Sequence, residues 1–284
     1  SNGTFSGALN SSGSLLKVGG GLLTLTGNNA YTGETGVNAG TLTLGGSLAS
    51  TVLTVGTGAT LNALSGSYFP VTSVVTADGV VNLDNSAVEI ATLLGTGVVN
   101  LNTTALTVSS GTFSGALNSS GSLLKVSGGL LTLSGNNGYT GETGVNAGTL
   151  TLGGSLASAV LTVGTGATLN ALSGSYFPVT SVVTADGVVN LDNSAVEIAT
   201  LLGTGVVNLN TTALTLSNGT FSGALNSSGS LVKVSGGLLT LTGNNGYTGE
   251  TGVNAGTLTL GGSLASTVLT VGTVSYTHLT LPTI

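Results

Sequence analysis

Apolar residues alternate with Thr, Ser or Asn along most of the chain, a period of two that is typical of strands with one buried face. Gly, Asn, Ser and Asp fill the segments between these runs, as tight turns require. Only "SAVEIATLL" (86–94) has some helical character, and its β-branched residues and its place between two strand patterns favour another strand. The pattern predicts an all-β fold. Within 1–108 the predicted strands are "LLTLT" (22–26), "TLTL" (41–44), "TVLTV" (51–55), "VVNLD" (80–84) and "VVNLN" (98–102).

The whole pattern repeats along the chain, since "GTFSGALNSSGSL" begins at Gly3, Gly111 and Gly219. We therefore expect three tandem units: residues 1–108, residues 109–216 and a truncated unit at 217–273. Their near-identity indicates a recent tandem duplication of DNA, or a misassembled contig that imitates one.

Strands that recur with almost no change favour a stack of coils over an antiparallel sandwich, which needs distinct edges and ends. We predict a parallel β-helix (β-solenoid) built from tandem repeats of about 108 residues. Two or three strands per coil would take roughly 20 to 25 residues, so one unit would hold about four or five coils. Each coil would bind the neighbouring coils of the same polypeptide, and like side chains would lie above one another in ladders of Val, Leu, Thr and Asn.

Residues 274–284 depart from the repeat, read "VSYTHLTLPTI" and contain His278, the single His of the chain. This tail resembles one reading frame of the transposase-derived adapter used in sequencing libraries. We interpret it as an artefact rather than native sequence and leave it out of the functional argument.

Charged residues are scarce, and most of them are acidic. Charged residues make up 4% of the chain, against roughly 25% in an ordinary soluble domain, and the net charge is -6 with only three Lys. Because nucleic-acid binding requires basic residues that neutralise phosphates, we expect no nucleic-acid partner. With 40% hydrophobic residues the chain can bury a core, unlike a disordered chain.

The lack of Cys and of long apolar runs further narrows the class of protein. The chain has no Cys, which removes disulfides and thiolate metal sites, so its stability would come from a repetitive stack of hydrogen bonds. No apolar run approaches the roughly 18 residues of a membrane-spanning segment. No leader is visible at Ser1, so we expect either a mature start or a fragment.

One short segment, repeated in each unit, resembles a known family. Read from Leu15 it is "LLKVGGGLLTLTGNNAYTGETGVNAGTLTL", and it is similar to the autotransporter-associated β-strand repeat, also called the passenger-associated transport repeat. It departs from that pattern in the spacing of Gly19 to Leu22 and at Gly36, where a Thr is usual. The matching positions are Lys17, Leu23-Thr24-Leu25, Gly27, Asn29, Tyr31-Thr32-Gly33, Thr35, Val37 and Gly40-Thr41-Leu42.

The resemblance implies a piece of the passenger of a type V secreted protein, at the cell surface or outer membrane, or outside the cell, of a Gram-negative bacterium. It implies as partner a C-terminal β-barrel translocator beyond these residues, and it leaves a host-surface or glycan ligand open. We expect a structural, adhesin-like and non-catalytic stalk that supports export and display. The alternative is the stalk of a passenger whose protease or esterase domain lies outside this sequence.

We predict no catalytic, cofactor-binding or metal-binding residue in the chain. Without Cys, Arg or a His before the tail, neither a Ser-His-Asp triad nor a cysteine nucleophile is possible. Lys17 beside a Ser would suit Ser-Lys chemistry, but a structural lysine at a strand end is favoured.

The acidic residues can be weighed as a glycosidase pair and as a calcium site. Neither is favoured, because the chain has no aromatic walls for a cleft and lacks the calcium-binding nonapeptide pattern. These residues are Asp78, Asp84 and Glu89, with their equivalents Asp186, Asp192 and Glu197.

Two surface hypotheses remain. Thr24 and Thr26, with Thr41 and Thr43, would suit an ordered Thr array of the ice-binding kind, although Thr is also the default outward residue of a β-helix. Aromatic residues at coil corners would suit sugar faces in an adhesin, but more often cap the core. These aromatic residues are Tyr31, Tyr139, Tyr247, Tyr68-Phe69 and Tyr176-Phe177.

Overall fold

The computed structural model describes residues 2–85, 87–193 and 195–272, and within them the regular structure is entirely β-strand. The segment 274–284, interpreted above as an artefact, lies outside the described residues. The chain divides into two compact units, which differ from the 108-residue sequence repeats. Residues 1–141 are called the first unit below, and residues 142–284 the second unit. The all-β prediction is confirmed, and the window with some helical character forms a strand at Ala87–Gly95.

The described part of the first unit is built from short parallel strands, most of them three or four residues long. They are β1 (Gly3–Phe5), β2 (Leu15–Lys17), β3 (Leu22–Leu25), β4 (Thr35–Val37), β5 (Thr41–Leu44), β6 (Val52–Val55), β7 (Thr60–Ala63), β8 (Val74–Ala77), β9 (Val80–Leu83), β10 (Ala87–Gly95), β11 (Val98–Asn100), β12 (Ala105–Phe113), β13 (Ala116–Asn118), β14 (Ser122–Lys125) and β15 (Leu130–Leu133).

The second unit uses the same elements. They are β16 (Thr143–Val145), β17 (Thr149–Leu152), β18 (Val160–Val163), β19 (Thr168–Ala171), β20 (Val182–Ala185), β21 (Val188–Leu191), β22 (Ala195–Gly203), β23 (Val206–Asn208), β24 (Ala213–Phe221), β25 (Ala224–Asn226), β26 (Ser230–Lys233), β27 (Leu238–Leu241), β28 (Thr251–Val253), β29 (Thr257–Leu260) and β30 (Leu269–Val271).

In the first unit the strands form three parallel stacks, and each coil adds one step to each stack. The first stack runs β1-β3-β5-β7-β9-β11-β13. The second runs β2-β4-β6-β8 and continues through the ends of β10 and β12 to β15. The third begins with isolated bridges, Asn29 to Leu48 and Ser47 to Tyr68, and continues through the starts of β10 and β12 to β14. The predicted parallel β-solenoid is therefore confirmed.

The second unit, taken by itself, repeats this arrangement. One stack runs β16-β18-β20 and then through the ends of β22 and β24 to β27 and β29. Another runs β17-β19-β21-β23-β25. The last joins the starts of β22 and β24 to β26, β28 and β30.

The structural repeat is one coil of about 19 residues, far shorter than the sequence repeat, which corrects the prediction from the sequence. In the second stack of the first unit, Leu15 is connected through successive coils to Gly111 after five turns and to Leu131 after six. One 108-residue unit is therefore about five and two-thirds turns, more than the predicted four or five.

Because 108 residues do not make a whole number of turns, strands at equivalent positions of successive sequence repeats lie in different stacks. Gly3–Phe5 lies in the first stack, whereas its equivalent 111–113 lies in the second. Likewise β2 lies in the second stack and its equivalent β14 in the third. The predicted ladders of like side chains therefore join neighbouring coils of different sequence, not identical coils.

The core follows directly from the alternation. Strands such as β5, β7 and β9 bury every second residue and turn the others outward, so Leu42, Leu61 and Val81 stack inside the coil. Burial of these apolar side chains is the main favourable term for such narrow coils. None of the described residues belongs to a helix long and apolar enough to cross a membrane.

Candidate functional site

Lys17 is buried inside a coil corner, at the end of β2. Its Nζ donates to the backbone carbonyl oxygens of Gly19 at 2.6 Å and Ala39 at 2.9 Å, with a longer bond of 3.4 Å to Val18. Gly19 and Val18 belong to the turn that follows the strand, and Ala39 belongs to the next coil. The ammonium therefore joins the corners of two successive coils.

Lys233 repeats this geometry in the second unit. It is 0% exposed, and its Nζ donates to the carbonyl oxygens of Val234, Ser235 and Ala255 at 2.6, 2.8 and 3.1 Å. Burial lowers the pKa of Lys233 and that of Lys125. Because these bonds occupy all three donors of the ammonium, the arrangement is suited to holding two corners together.

The tyrosines of the repeated segment also point inward. Tyr31 and Tyr247 are buried, and their hydroxyls share hydrogen bonds of 2.6 Å with Thr35 and Thr251. Burial raises the pKa of Tyr247 to about 12, while the hydrogen bond to Thr251 acts in the opposite direction. Burial likewise raises the pKa of Tyr31. Tyr139 is fully buried, so none of these three rings presents a face to a sugar.

The acidic residues weighed as a pair or as calcium ligands are spread along the coils. Asp78 precedes β9 and accepts hydrogen bonds from the backbone N and Oγ1 of Thr96, at 3.0 and 3.1 Å. Asp84 follows β9 and accepts a bond of 2.8 Å from Asn102 Nδ2. Asp186 and Asp192 repeat these contacts with Thr204 and Asn210. In the part of the chain that the structure describes, no group of three His, Cys, Asp or Glu residues could hold a metal ion.

The outward Thr rows are short. Thr43 pairs with Asn62, which is followed by Asn82 and Asn100 on the next coils. Asn82 Nδ2 donates to Asn62 Oδ1 at 2.8 Å, and Asn100 Nδ2 donates to Asn82 Oδ1 at 2.7 Å. The surface is thus an Asn ladder that continues from Thr, not a uniform Thr array.

Two of the aromatic residues weighed for sugar binding do face solvent. Tyr68 and Tyr176 are both 55% exposed, whereas the adjacent Phe69 and Phe177 are buried in the core. Each exposed ring borders a groove on the outside of the coils, about 270 Å³ beside Tyr68 and about 260 Å³ beside Tyr176. The groove beside Tyr68 is lined by Ser67, Tyr68, Phe69, Val71, Ala87, Val88, Glu89 and Thr107. We call these two hollows the Tyr68 groove and the Tyr176 groove.

Sequence reasoning treated Tyr68 and Glu89 separately and missed that they line one groove. Glu89 follows Tyr68 along the chain by close to one coil, so the two residues lie on neighbouring coils of the same side. The coil length was the signal that would have brought them together.

Comparison with known proteins identifies the repeated segment. A family model described as Passenger-associated-transport-repeat matches residues 15–44, 123–152 and 231–260. Searches of curated proteins and of solved structures each give no significant match. The three matched ranges contain the buried lysines and tyrosines described above.

By fold, each unit belongs to the class of parallel β-solenoids. By its repeats, the chain matches an autotransporter passenger, since it carries three copies of the passenger-associated transport repeat. The resemblance seen in the sequence is thus confirmed. Such repeats imply a location outside the cell or at the outer-membrane surface of a Gram-negative bacterium.

Proposed function

We propose that the chain is a non-catalytic, adhesin-like stalk segment of an autotransporter passenger, which supports export and displays what is attached to it. One observation carries this proposal: the polar side chains of the repeated segment are used to hold coil to coil. Lys17 bonds to Ala39 on the next coil, and Asn29 Oδ1 accepts from the backbone N of Leu9 on the previous coil at 3.2 Å.

The same use of polar groups supports a non-catalytic role. The Lys17 and Lys233 ammoniums contact backbone carbonyl oxygens rather than a serine hydroxyl. Asp78 and Asp84 are engaged by Thr96 and Asn102. General acid-base or nucleophilic catalysis needs such groups aimed at a shared point, and these are aimed at the backbone or side chains of neighbouring coils.

The proposed partner is a C-terminal β-barrel translocator of the same polypeptide, beyond these residues. A chain without disulfides, whose stability comes from coil-to-coil bonds, can be threaded unfolded and then fold one coil at a time. Folding outside the cell would then support export.

The test places the full chain, with an N-terminal peptide tag, between an export leader and an outer-membrane barrel. Antibody labelling of intact cells measures whether the tag reaches the surface. We expect strong labelling and protease-resistant coils, and adhesion of these cells to a host-cell surface above that of cells with the barrel alone. A tag that stays inside the cells would contradict the display role. Turnover of protein or ester substrates by the purified chain would contradict the non-catalytic role.

A further inference from the structure

Two of the nine acidic residues differ from the other seven. Each of the seven accepts a hydrogen bond from the following coil, from a Thr or an Asn side chain. Glu89 and Glu197 lie exposed on the outer faces of β10 and β22, and their carboxylates make no hydrogen bond or ion pair within the described residues. Contacts between coils therefore do not account for the presence of these two carboxylates.

Both exceptional carboxylates lie in the grooves bordered by the exposed tyrosines. Glu89 lines the Tyr68 groove and Glu197 lines the Tyr176 groove. Glu89 pairs in register with Thr107 on the next coil, which places a hydroxyl beside the carboxylate. Val71, itself half-exposed, extends the apolar surface next to the Tyr68 ring.

A second hollow of about 300 Å³ lies on the other side of the Tyr68 ring. It is lined in part by Asn28, Ser47 and Pro70 as well as by Tyr68. The ring therefore stands between two hollows that follow one another along the coils. From the coil of Asn28 to that of Thr107 there are four steps, or roughly 20 Å at about 4.8 Å per step, which suits an elongated ligand.

The chemistry of these groups selects the ligand. An exposed Tyr ring offers an apolar face with a polar edge, and a free carboxylate accepts strong hydrogen bonds from hydroxyl donors. An anionic ligand has no counter-charge here, because Lys17, Lys125 and Lys233 are buried and bonded to carbonyl oxygens. Neutral sugar rings present both an apolar C–H face and several hydroxyl donors.

We propose that the Tyr68 and Tyr176 grooves each bind a neutral glycan, with the tyrosine ring stacking on a sugar and the exposed glutamate accepting hydrogen bonds from its hydroxyls. This inference rests on the proposed adhesin-like function and names the ligand class of that function. It gives the chain two glycan sites, one in each 108-residue unit that contains the full motif.

The experiment uses the full chain on an array of neutral gluco- and galacto-oligosaccharides of four to six sugars, followed by calorimetric titration of those bound. We expect binding with two sites per chain. Tyr68→Ala with Tyr176→Ala should weaken binding at least tenfold, and Tyr68→Ala alone should reduce the stoichiometry from two to one. The double change to Phe should retain binding within about threefold, because the stacking face remains.

The glutamates are tested against a matched pair. Glu89→Gln with Glu197→Gln should weaken binding at least fivefold, since a charged acceptor is replaced by a neutral one. Glu34→Gln with Glu142→Gln, which alters carboxylates already bonded to Thr54 and Thr162, should leave binding unchanged. A thermal melt of each variant checks that the coils remain folded.

Three results would overturn the inference: no binding to any neutral oligosaccharide of the array, equal binding by the double Tyr→Ala variant, or competition by an oligolysine peptide that disappears in high salt. The last would identify a basic peptide as the ligand. Failure of this kind is distinct from failure of the adhesin-like proposal. If one of these three results is obtained while cells that display the chain still adhere to host cells, the glycan inference is refuted and the adhesin-like proposal stands.

Discussion

At the residue scale, the buried lysine is the most unusual feature of the repeated segment. Lys233 gives up hydration of a full charge, a cost that its three carbonyl oxygens must offset. The direction of its pKa, lowered by burial, indicates that the offset is incomplete. The lysine therefore joins two corners at a net cost to its own charged state.

Replacing this lysine should still be harmful. In Lys233→Met the methionine fills much of the same space, but three part-buried carbonyl oxygens lose their donor, so we expect a loss of about 1–3 kcal/mol in the free energy of unfolding. Urea unfolding at pH 7 measures it. Leu238→Ser, at a position 52% exposed, serves as the control and should change stability by less than about 0.5 kcal/mol. A more stable methionine variant would show that desolvation of the ammonium outweighs its hydrogen bonds.

A second residue-scale prediction concerns alkaline pH. The folded pKa of Tyr247 is raised to about 12, above the ordinary value of about 10 that it takes in the unfolded chain. Between these values the unfolded chain loses the phenolic proton first, so stability present below pH 10 is lost as the pH rises towards 12. The contribution of this one group is about 2–3 kcal/mol.

The variant Tyr247→Phe isolates that contribution. Near pH 8 it should be less stable than the parent by about 1 kcal/mol, because the Thr251 hydroxyl loses its partner. Across pH 10 to 12 its stability should fall less steeply, since the other buried groups are common to both proteins. Urea unfolding at pH 8, 10, 11 and 12 gives both curves. Parallel curves would show that Tyr247 is not held neutral by the fold.

At the element scale, the corners limit how closely coils can stack. In the second unit Gly243 lies over Gly223, and a methyl group added at Gly243 would run into the carbonyl oxygen of Gly223. Gly236, earlier in the same coil, has open space around the same added group. These two glycines offer a matched comparison within one coil.

Gly243→Ala should force two coils apart and break backbone bonds on both sides. We expect a loss of more than about 3 kcal/mol, as for other changes that disrupt a packed backbone. Gly236→Ala should be neutral or slightly stabilising, because it only reduces the freedom of the unfolded chain. Thermal melts followed by circular dichroism compare the two. Equal melting temperatures would mean that the corner relaxes to admit a side chain.

The strands could be predicted from the sequence because their signal is local. Alternation within "TLTL" identifies β5 without knowledge of its neighbours. The strand β10 is favoured by its β-branched residues and its place between two strand patterns. The coil length could not be found in this way, because successive coils share alternation but little sequence. Some paired positions differ, such as Thr43 and Asn62. Others are identical, such as Val80-Val81-Asn82 and Val98-Val99-Asn100, but the 108-residue period dominates any comparison of the chain with itself.

The same limit applies to the candidate site. The sequence analysis names both Tyr68 and Glu89 as candidates, but their exposure and their proximity depend on the fold and on the length of one coil. The sequence predicts a structural lysine at position 17, yet the bond from its Nζ to the carbonyl oxygen of Ala39 on the next coil depends on the same missing length.

At the scale of the whole molecule, two repeats of different length are superimposed. The coil sets which strands touch, and the 108-residue unit sets which sequences follow one another. Because one such unit makes about five and two-thirds turns, the next unit starts on a different side. This shift is harmless only if the three sides accept the same strands. Within residues 1–141 the structure shows this for two of the three sides, since Gly3–Phe5 and its equivalent 111–113 occupy different stacks and both pair with a Leu-Thr-Leu strand.

Removal of one complete unit should therefore be tolerated. Deleting residues 109–216 joins Val108 to Ser217, and every strand that remains keeps neighbours of nearly the same sequence. The start of β12, which pairs with Ser122–Lys125, would pair instead with the equivalent Ser230–Lys233. We expect a folded chain whose melting temperature lies within about 5 °C of the parent, as nearest-neighbour stability in a solenoid requires.

A deletion of another length provides the control. Removing residues 109–206 joins Val108 directly to Val207, two residues that both point into the core, so the alternation breaks at the junction and the following strands lose their partners. That variant should melt at least about 10 °C lower or aggregate, because exposed strand edges then remain unpaired. If both deletions fold equally well, register is set by the coils alone and the 108-residue unit has no structural meaning. If neither folds, the three sides are not equivalent, and copy number in this passenger is constrained rather than free.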